Sequence, residues 1–159
     1  MTCLTSLRNG EYADFFEASV SGYAQDNVDA GRWSPTDALA LARSESERLL
    51  PQGPDTPGHY IYAIRAEPDG DALGYIWYAT LHRGISTVAF VYQLMVKPDH
   101  RRQGHARAAL LQAEQLALKQ GHEAMALNVF APNKAALSLY LSLGYGYTNH
   151  SMAKPIRPN

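Results

Sequence analysis

The segment of this chain with the clearest capacity for chemistry contains two adjacent arginines, a glycine and an alanine. It reads Arg101-Arg102-Gln103-Gly104-His105-Ala106. An apolar stretch, Val91–Val96, precedes it, and small and apolar residues recur at helical spacing after it. Free N–H groups at a helix start carry partial positive charge, and arginines add charged donors. The pattern therefore predicts a phosphate-binding turn between a strand and a helix.

Two common phosphate-binding loops are excluded by the same residues. A Walker A loop requires GxxxxGK[ST], and no Gly-Lys pair occurs anywhere in the chain. A dinucleotide fingerprint requires GxGxxG, whereas the turn at residues 101–106 contains a single glycine. The turn instead has the form R-x-x-G-x-A and follows a V-x-P strand end. A helix start that merely carries surface arginines is the alternative explanation of this pattern.

A second group of spaced residues follows in the last third of the chain. Glu123–Phe130 is predicted as a strand, and Ala131-Pro132 ends it. Asn133 is a good helix N-cap and Gly144 suits a helix end, so a helix is predicted over Asn133–Leu143.

Together the two segments resemble the GNAT N-acetyltransferase superfamily, and the wider chain is similar to its small bacterial members. The first segment matches the acetyl-coenzyme A pyrophosphate loop, R/Q-x-x-G-x-G/A. The second matches N-x-x-A-x-x-x-Y-x-x-x-G-F/Y, with five residues in register: Asn133, Ala136, Tyr140, Gly144 and Tyr145. The segments span Val91–Tyr145, about a third of the chain, in the expected strand–helix order.

The resemblance implies acetyl-coenzyme A as acetyl donor and a primary amine as acceptor. It implies that backbone N–H groups of Arg102, Gln103, Gly104, His105 and Ala106 hold the pyrophosphate, while Arg101 adds charge-assisted hydrogen bonds. The strand Leu94-Met95-Val96 would pair with the pantetheine arm. A backbone N–H near Leu94 would polarise the thioester carbonyl and stabilise the oxyanion. The side chains of Arg102 and His105 are expected in solvent.

Tyr140 matches the tyrosine that serves the family as general acid toward the departing thiolate. A phenol with an ordinary pKa near 10 is protonated at neutral pH and so starts in the required state. A tyrosine that only packs between helix and sheet, or only positions the cofactor, is the alternative. Asn133 is expected to cap its helix and to touch the cofactor. The amine attacks directly, which agrees with the absence of a convincing Cys or Ser nucleophile motif.

The residues leave the general base open. Many relatives place a carboxylate on the central strand, where this chain has Gln93, which cannot accept a proton. Tyr92 is expected on the opposite face of that strand. His59 and His82 are candidate bases because histidine titrates near neutrality, and a chain of water molecules to bulk solvent is the default. Several aromatic residues could line an acceptor pocket: Trp33, Tyr60, Tyr75, Trp77 and Tyr78.

Element by element, the pattern predicts an α+β domain with a mixed central sheet and the order β-α-α-β-β-β-α-β-α-β, as expected of the GNAT fold. The predicted strands are Leu4–Leu7, His59–Glu67, Ala72–Leu81, Thr87–Val96, Glu123–Phe130 and Tyr145–Lys154. The predicted helices run from Glu11 to about Gln25, from Ser34 to about Leu50, from Gly104 to about Gly121, and over Asn133–Leu143. Pro155–Asn159 is predicted to be a loose tail.

Length and composition favour one soluble domain over residues 1–159. The formal net charge of −1 gives no indication of nucleic-acid binding. No apolar run is long enough to span a membrane, and Cys3 is the single cysteine. We therefore expect a cytoplasmic protein without a metal or a membrane partner, for which a homodimer is possible.

Three functions remain open at this point. The first is an N-acetyltransferase for a small molecule such as an amino acid, polyamine, antibiotic or other xenobiotic amine. The second is a protein acetyltransferase acting on a lysine or an N-terminus, and the third is a non-catalytic acyl-coenzyme A-binding module. A closed pocket capped by Gln25–Trp33 and Pro51–Gly58 favours the first function, whereas an open trough favours the second.

Overall fold

The computed structural model describes residues 1–157, so the last two residues of the predicted tail lie outside the described part. Its strands are β1 Cys3–Ser6, β2 His59–Arg65, β3 Gly74–Arg83, β4 Ser86–Val96 and β5 Ala124–Leu127. Its α-helices are α1 Glu11–Asp29, α2 Ala38–Leu49, α3 His105–Lys119 and α4 Lys134–Ser142. No helix within residues 1–157 is both long and apolar enough to cross a membrane.

The five strands form one mixed sheet in the order β1-β2-β3-β4-β5. The first three pairings are antiparallel, and β4 pairs with β5 in parallel across the helical connection α3. Helix α1 packs Phe15 on one face of the sheet against Tyr75 and Trp77. Helix α3 packs Leu110 and Ala113 on the other face. The predicted α+β class and mixed sheet are confirmed.

The predicted last strand, Tyr145–Lys154, is wrong: this segment forms no strand in the described residues. Its sequence lacks a sustained row of β-branched or aromatic residues, and Gly146 interrupts it. Past Tyr145 it has no apolar face to bury, since Tyr147 is 59% exposed and Met152 93% exposed. The predicted strand before α4 is also shorter, because it ends at Leu127 instead of Phe130.

A buried ion pair joins the first helix to the sheet. Arg65 at the end of β2 is fully buried, and its guanidinium donates to both carboxylate oxygens of Glu11 at 2.8 and 2.6 Å. The same guanidinium donates to the Thr5 hydroxyl at 2.6 Å and to the Gly70 carbonyl at 3.1 Å. Glu11 in turn accepts from the Arg8 backbone N–H at 2.7 Å. The start of α1 is therefore fixed to β1 and β2 by one network.

We predict that Glu11→Gln destabilises the protein by about 3–5 kcal/mol, because it leaves the Arg65 guanidinium buried without its counter-charge. Chemical denaturation measures the loss. Glu17→Gln is the matched control, since the Glu17–Arg43 pair lies on the surface and its loss should hardly move the midpoint.

The same pair gives the stability a defined pH dependence. The hydrogen bond from Arg65 holds the pKa of Glu11 at about 2, below its usual 4.5. A carboxyl with a lowered folded-state pKa stabilises the protein above its unfolded-state pKa and loses that contribution as the pH falls toward the folded value. The difference between parent and Glu11→Gln should therefore shrink between pH 4.5 and 2, and a difference that stays constant over this range would contradict the assignment.

Candidate active site

The candidate site begins at an irregularity in the central strand β4. Trp77 on β3 pairs with Gln93, but the next residue, Tyr78, pairs with Val91, so Tyr92 is an extra residue without a partner on β3. Such a β-bulge re-aims side chains and disturbs the alternation of the strand.

The bulge places Tyr92 and Gln93 on the same side of the sheet. The Tyr92 ring stacks on Trp77 with centroids 4.8 Å apart. The Gln93 amide lies against α1, where a Cβ added to Gly22 would meet its Nε2 at 3.1 Å. The prediction that these two side chains face opposite ways is therefore wrong, since it assumed an unbroken alternation.

Strands β4 and β5 separate next to the bulge. Their parallel ladder runs from Val88 opposite Ala124 only as far as Val91 opposite Leu127. The remainder of β4 continues to pair with β3 alone. The main-chain groups of Tyr92–Val96 that face away from β3 are thus not taken up by β5.

A cavity of about 480 Å³ lies at this separation. Helices α1 and α2 with their connection supply Ser19, Tyr23, Asp26, Arg32, Glu45, Ser46 and Leu49. The sheet supplies Trp77, Leu81, Arg83, Phe90, Val91, Tyr92, Gln93 and Leu94. The segment from β5 to α4 supplies Leu127, Asn128, Val129, Phe130, Asn133, Ala136 and Tyr140. Of the five aromatic residues predicted for an acceptor pocket, Trp77 is the one in this lining.

The predicted cofactor strand uses its side chains for packing. Val96 is buried with Ile64 and Ala109 on the α3 side, and Met95 packs with Tyr75 on the α1 side. Leu94 lines the cavity and also packs on the α3 side. A ligand at this strand would therefore contact chiefly the main chain of Leu94, Met95 and Val96.

The arginine-rich turn lies where β4 leads into α3, at the far end of the strand from the β3–β4 hairpin. Gly104 is the N-cap of α3 with φ 83°, and Arg102 also has a positive φ of 60°. A Cβ on Gly104 would meet nothing within 4 Å, so the space over the helix start is open. Arg101 Nε donates to the Val96 carbonyl at 2.9 Å, which fixes this side chain beside the strand end.

The side chains of this turn differ in exposure. Arg102, Gln103 and Gly104 are exposed, whereas Ala106 is half-buried. His105 is buried, and its Nδ1 is 2.8 Å from the Thr2 hydroxyl. The expectation that His105 is solvated is wrong, because the N-terminal segment covers it. Arg102 is exposed as expected.

Helix α4 presents Asn133 and Tyr140 to the cavity. The Asn133 side chain accepts from the Ala136 N–H at 3.2 Å, which confirms its predicted capping role. Tyr140 is half-buried. Burial, followed by the negative charge of Asp26, raises the pKa of the Tyr140 hydroxyl. The phenol is therefore protonated throughout the neutral range.

Neither candidate histidine base lines the cavity. His82 is exposed near the end of β3. His59 Nδ1 accepts a hydrogen bond from Trp77 Nε1 at 3.0 Å, and burial lowers the pKa of this imidazole. Within residues 1–157 there is no cluster of three or more His, Cys, Asp or Glu side chains suited to a metal ion.

Two carboxylates that line the cavity are not among the predicted site residues. Asp26 lies in the last turns of α1, beyond the predicted helix end near Gln25, in the Gln25–Trp33 segment expected to cap a closed pocket. Glu45 lies on α2 and is half-buried. The helical spacing of Ser19, Tyr23 and Asp26 was the available signal, since these positions share a face once the helix is extended to Asp29.

Comparison with known proteins agrees with this geometry. The sequence model of the Acetyltransferase (GNAT) family matches residues 27–145. Two Bacillus subtilis proteins, the uncharacterized N-acetyltransferases YycN and YdgE, are each 30% identical over 153 residues, covering 96% of this chain and 97% of theirs.

Solved structures show the same fold. The crystal structure of YycN superposes with a TM-score of 0.91 at 29% identity and covers 99% of this chain and 100% of its own. AAC(6')-Iy, in complex with the bisubstrate analog CoA-S-monomethyl-acetylneamine, superposes with a TM-score of 0.60 at 16% identity over 99% of both chains. Since the family model covers well over half of the 159 residues and full-length relatives agree with it, the chain belongs to the GNAT family and is an acetyltransferase.

Proposed function

We propose that this enzyme transfers the acetyl group of acetyl-coenzyme A to the primary amine of a small molecule, with Tyr140 as general acid. One observation carries the proposal. The residues matched to the donor half of the reaction, Leu94 and Tyr140, line the same cavity as side chains from α1 and α2. An acceptor in this cavity would reach the thioester without a further opening of the protein.

The donor site fits coenzyme A at two places. GNAT-fold enzymes use acetyl-coenzyme A, and AAC(6')-Iy carries a coenzyme A conjugate in its structure. The exposed turn over α3 offers free N–H groups, open space above Gly104 and the terminal nitrogens of Arg101 for the pyrophosphate. The unpaired edge of Tyr92–Val96 offers main-chain groups to the amide-containing pantetheine arm.

Direct transfer assigns separate roles to the strand and the helix. The amine adds to the thioester carbonyl, and negative charge develops on the carbonyl oxygen. A main-chain N–H beside Leu94 stabilises that charge, because strand geometry fixes the dipole before the reaction begins. Tyr140 donates its hydroxyl proton toward sulfur as the carbon–sulfur bond breaks. Its raised pKa keeps it protonated for this purpose.

The size of the cavity supports a small-molecule acceptor. A volume of about 480 Å³ lies within the range of ordinary small-ligand sites. Tyr23, Asp26 and Arg32, from the Gln25–Trp33 region and the helix before it, line the cavity, whereas the second expected capping segment, Pro51–Gly58, does not. A thiol-release assay with primary amines and lysine peptides tests the choice. Transfer to peptides alone would assign a protein acetyltransferase, and binding without transfer would assign an acyl-coenzyme A-binding module.

We predict that acetyl-coenzyme A raises the melting temperature of the parent protein, because it binds only the folded state. Gly104→Glu should abolish this shift by placing a carboxylate over the pyrophosphate site. Gly104→Ala is the control: it shares the strain of a side chain at φ 83° but adds no charge. If Gly104→Glu keeps the full shift, the pyrophosphate does not bind at this turn.

We also predict that Tyr140→Phe lowers turnover by about 10²-fold, the low end of the range for lost acid–base catalysis, since a thiolate is already a fair leaving group. The coenzyme dissociation constant should change much less than turnover, because the interaction strengthens as charge develops on sulfur.

The control for this variant is Tyr145→Phe. The Tyr145 ring lies 5.9 Å from that of Tyr140, but its hydroxyl donates to Glu114 at 2.9 Å and it is outside the cavity lining. This variant should retain turnover. A Tyr140→Phe enzyme within about twofold of the parent, with chemistry rate-limiting, would remove Tyr140 from the catalytic residues.

A further inference from the structure

We infer that Asp26 receives the acceptor's amine: its carboxylate binds the alkylammonium in the cavity and takes a proton from the nitrogen as the bond to the acetyl carbon forms. The inference rests on the proposed function and specifies its acceptor, a primary amine that arrives as a cation. It also assigns a proton acceptor, which the central strand does not supply because Gln93 stands at the expected position.

Asp26 is placed for this role by helix α1. It lines the cavity together with Ser19 and Tyr23 from the same helix face, and Tyr140 lines that cavity from α4. Asp26 is half-buried, so it remains open to the cavity while being partly removed from solvent. Its negative charge contributes, after burial, to the raised pKa of the Tyr140 hydroxyl.

The carboxylate of Asp26 has no side-chain partner within residues 1–157. Among the described residues it takes part in no side-chain hydrogen bond and no ion pair. The other acidic groups nearby are engaged: Glu45 is paired with Arg48, and Asp29 accepts from Gln25 at 2.7 Å. Asp26 is therefore the carboxylate in this lining that is available to a ligand cation.

A second polar group on this face of α1 also lacks a partner, but it is enclosed by the protein. The Ser19 side chain is 2% exposed, lines the cavity, and its hydroxyl has no hydrogen-bond partner within residues 1–157. A buried hydroxyl without a partner is costly, and most such groups in folded proteins are satisfied. The Ser19 oxygen has less than 1 Å² of accessible surface, so Asp26 is the polar group of this helix face that a ligand can reach.

The charges around Asp26 suit a proton acceptor. Burial, and then the negative charge of Asp29, raise the pKa of Asp26 above that of an ordinary aspartate, which makes it a stronger base. The titratable and charged groups in the surrounding elements are Tyr23 and Asp29 on α1, Arg32 after it, Glu45 on α2, Arg83 and Tyr92 on the sheet, and Tyr140 on α4. Arg32 donates to Asn27 at 2.8 Å, so its donors are partly occupied.

The proton balance is complete with these groups. The ammonium loses one proton to solvent to become nucleophilic, and the nitrogen loses a second one as its bond to the carbonyl carbon forms. The bond to the tetrahedral carbon lowers the pKa of the nitrogen, so Asp26 can accept this second proton. The carbon–sulfur bond breaks, sulfur leaves as a thiolate and takes one proton by way of Tyr140, and the other proton passes to solvent. The products are an amide, a thiol and one proton.

Binding of the alkylammonium by Asp26 is tested first, in an experiment without turnover. Calorimetry measures binding of 2-phenylethylamine and of the uncharged 2-phenylethanol to the protein saturated with desulfo-coenzyme A, which cannot donate an acetyl group. The parent should prefer the amine, and Asp26→Asn should lose about 10-fold or more of its affinity for the amine while binding the alcohol as before. Asp29→Asn, one turn further on, is the matched control and should retain the preference.

Two results of this measurement overturn the inference. One is equal amine affinity in the parent and in Asp26→Asn. The other is a parent protein that binds the amine no better than the alcohol. Because no acetyl transfer takes place, the comparison reports on Asp26 even if the proposed acetyl transfer fails.

The proton-accepting role is tested by turnover with the same amine. Asp26→Asn should lower kcat as well as raise KM, and Asp26→Glu should restore part of both. In the parent, kcat/KM should fall at low pH as Asp26 becomes protonated, and this acid limb should be absent from Asp26→Asn. An unchanged kcat and acid limb in Asp26→Asn would remove the catalytic part of the inference. A parent that transfers acetyl to no amine would instead remove the proposed function.

Discussion

The site depends on the point at which strand β4 stops pairing with β5 while it continues to pair with β3. β4 pairs with β3 along its whole length, but with β5 only up to Val91. Beyond that point its outer edge presents main-chain groups that must be satisfied by a ligand or by solvent. The extra residue Tyr92 falls where the second pairing ends, so the added twist of the bulge and the separation of β5 occur together. The cavity lined by α1, α2, the sheet and α4 is the space that this separation leaves.

Helix α1 connects the buried Glu11–Arg65 ion pair to the cavity. Its first residue, Glu11, is held by Arg65, and Asp26 lies near its other end. Its 19 residues span about 28 Å at the usual rise. Gly22 removes the side chain that would press on Gln93, so the helix can lie close to β4 at the bulge. The Glu11–Arg65 ion pair at the start of α1 and Gly22 in its second half therefore set how closely this helix approaches β4.

Most helices and strands could be predicted because their residue propensities, apolar spacing and end residues indicate the same element. The turn between β4 and α3, the Asn133 cap and the strand–helix order could be predicted because each depends on neighbouring residues. The bulge could not, since strict alternation fits Val91–Val96 equally well and the extra residue is defined only by its pairing with β3. Asp26 was missed because Gly22 lowers helix propensity, so that the helix was expected to end near Gln25. The predicted last strand failed because Tyr145 and Tyr147 begin an alternation that the following polar residues do not continue.

The Thr2–His105 contact has a consequence for the order in which the chain folds. Thr2 and Leu4 also bond the Gln112 side chain, at 2.6 and 3.1 Å, so three contacts to α3 close loops of more than 100 residues. Contacts of such sequence separation form late, because the entropy of closing a long loop must be offset by the rest of the fold. During synthesis the N-terminal segment emerges first and waits for α3. The N-terminal segment therefore takes its place on α3 only after this helix has been made, so the cover over His105 is among the last parts of the tertiary structure to form.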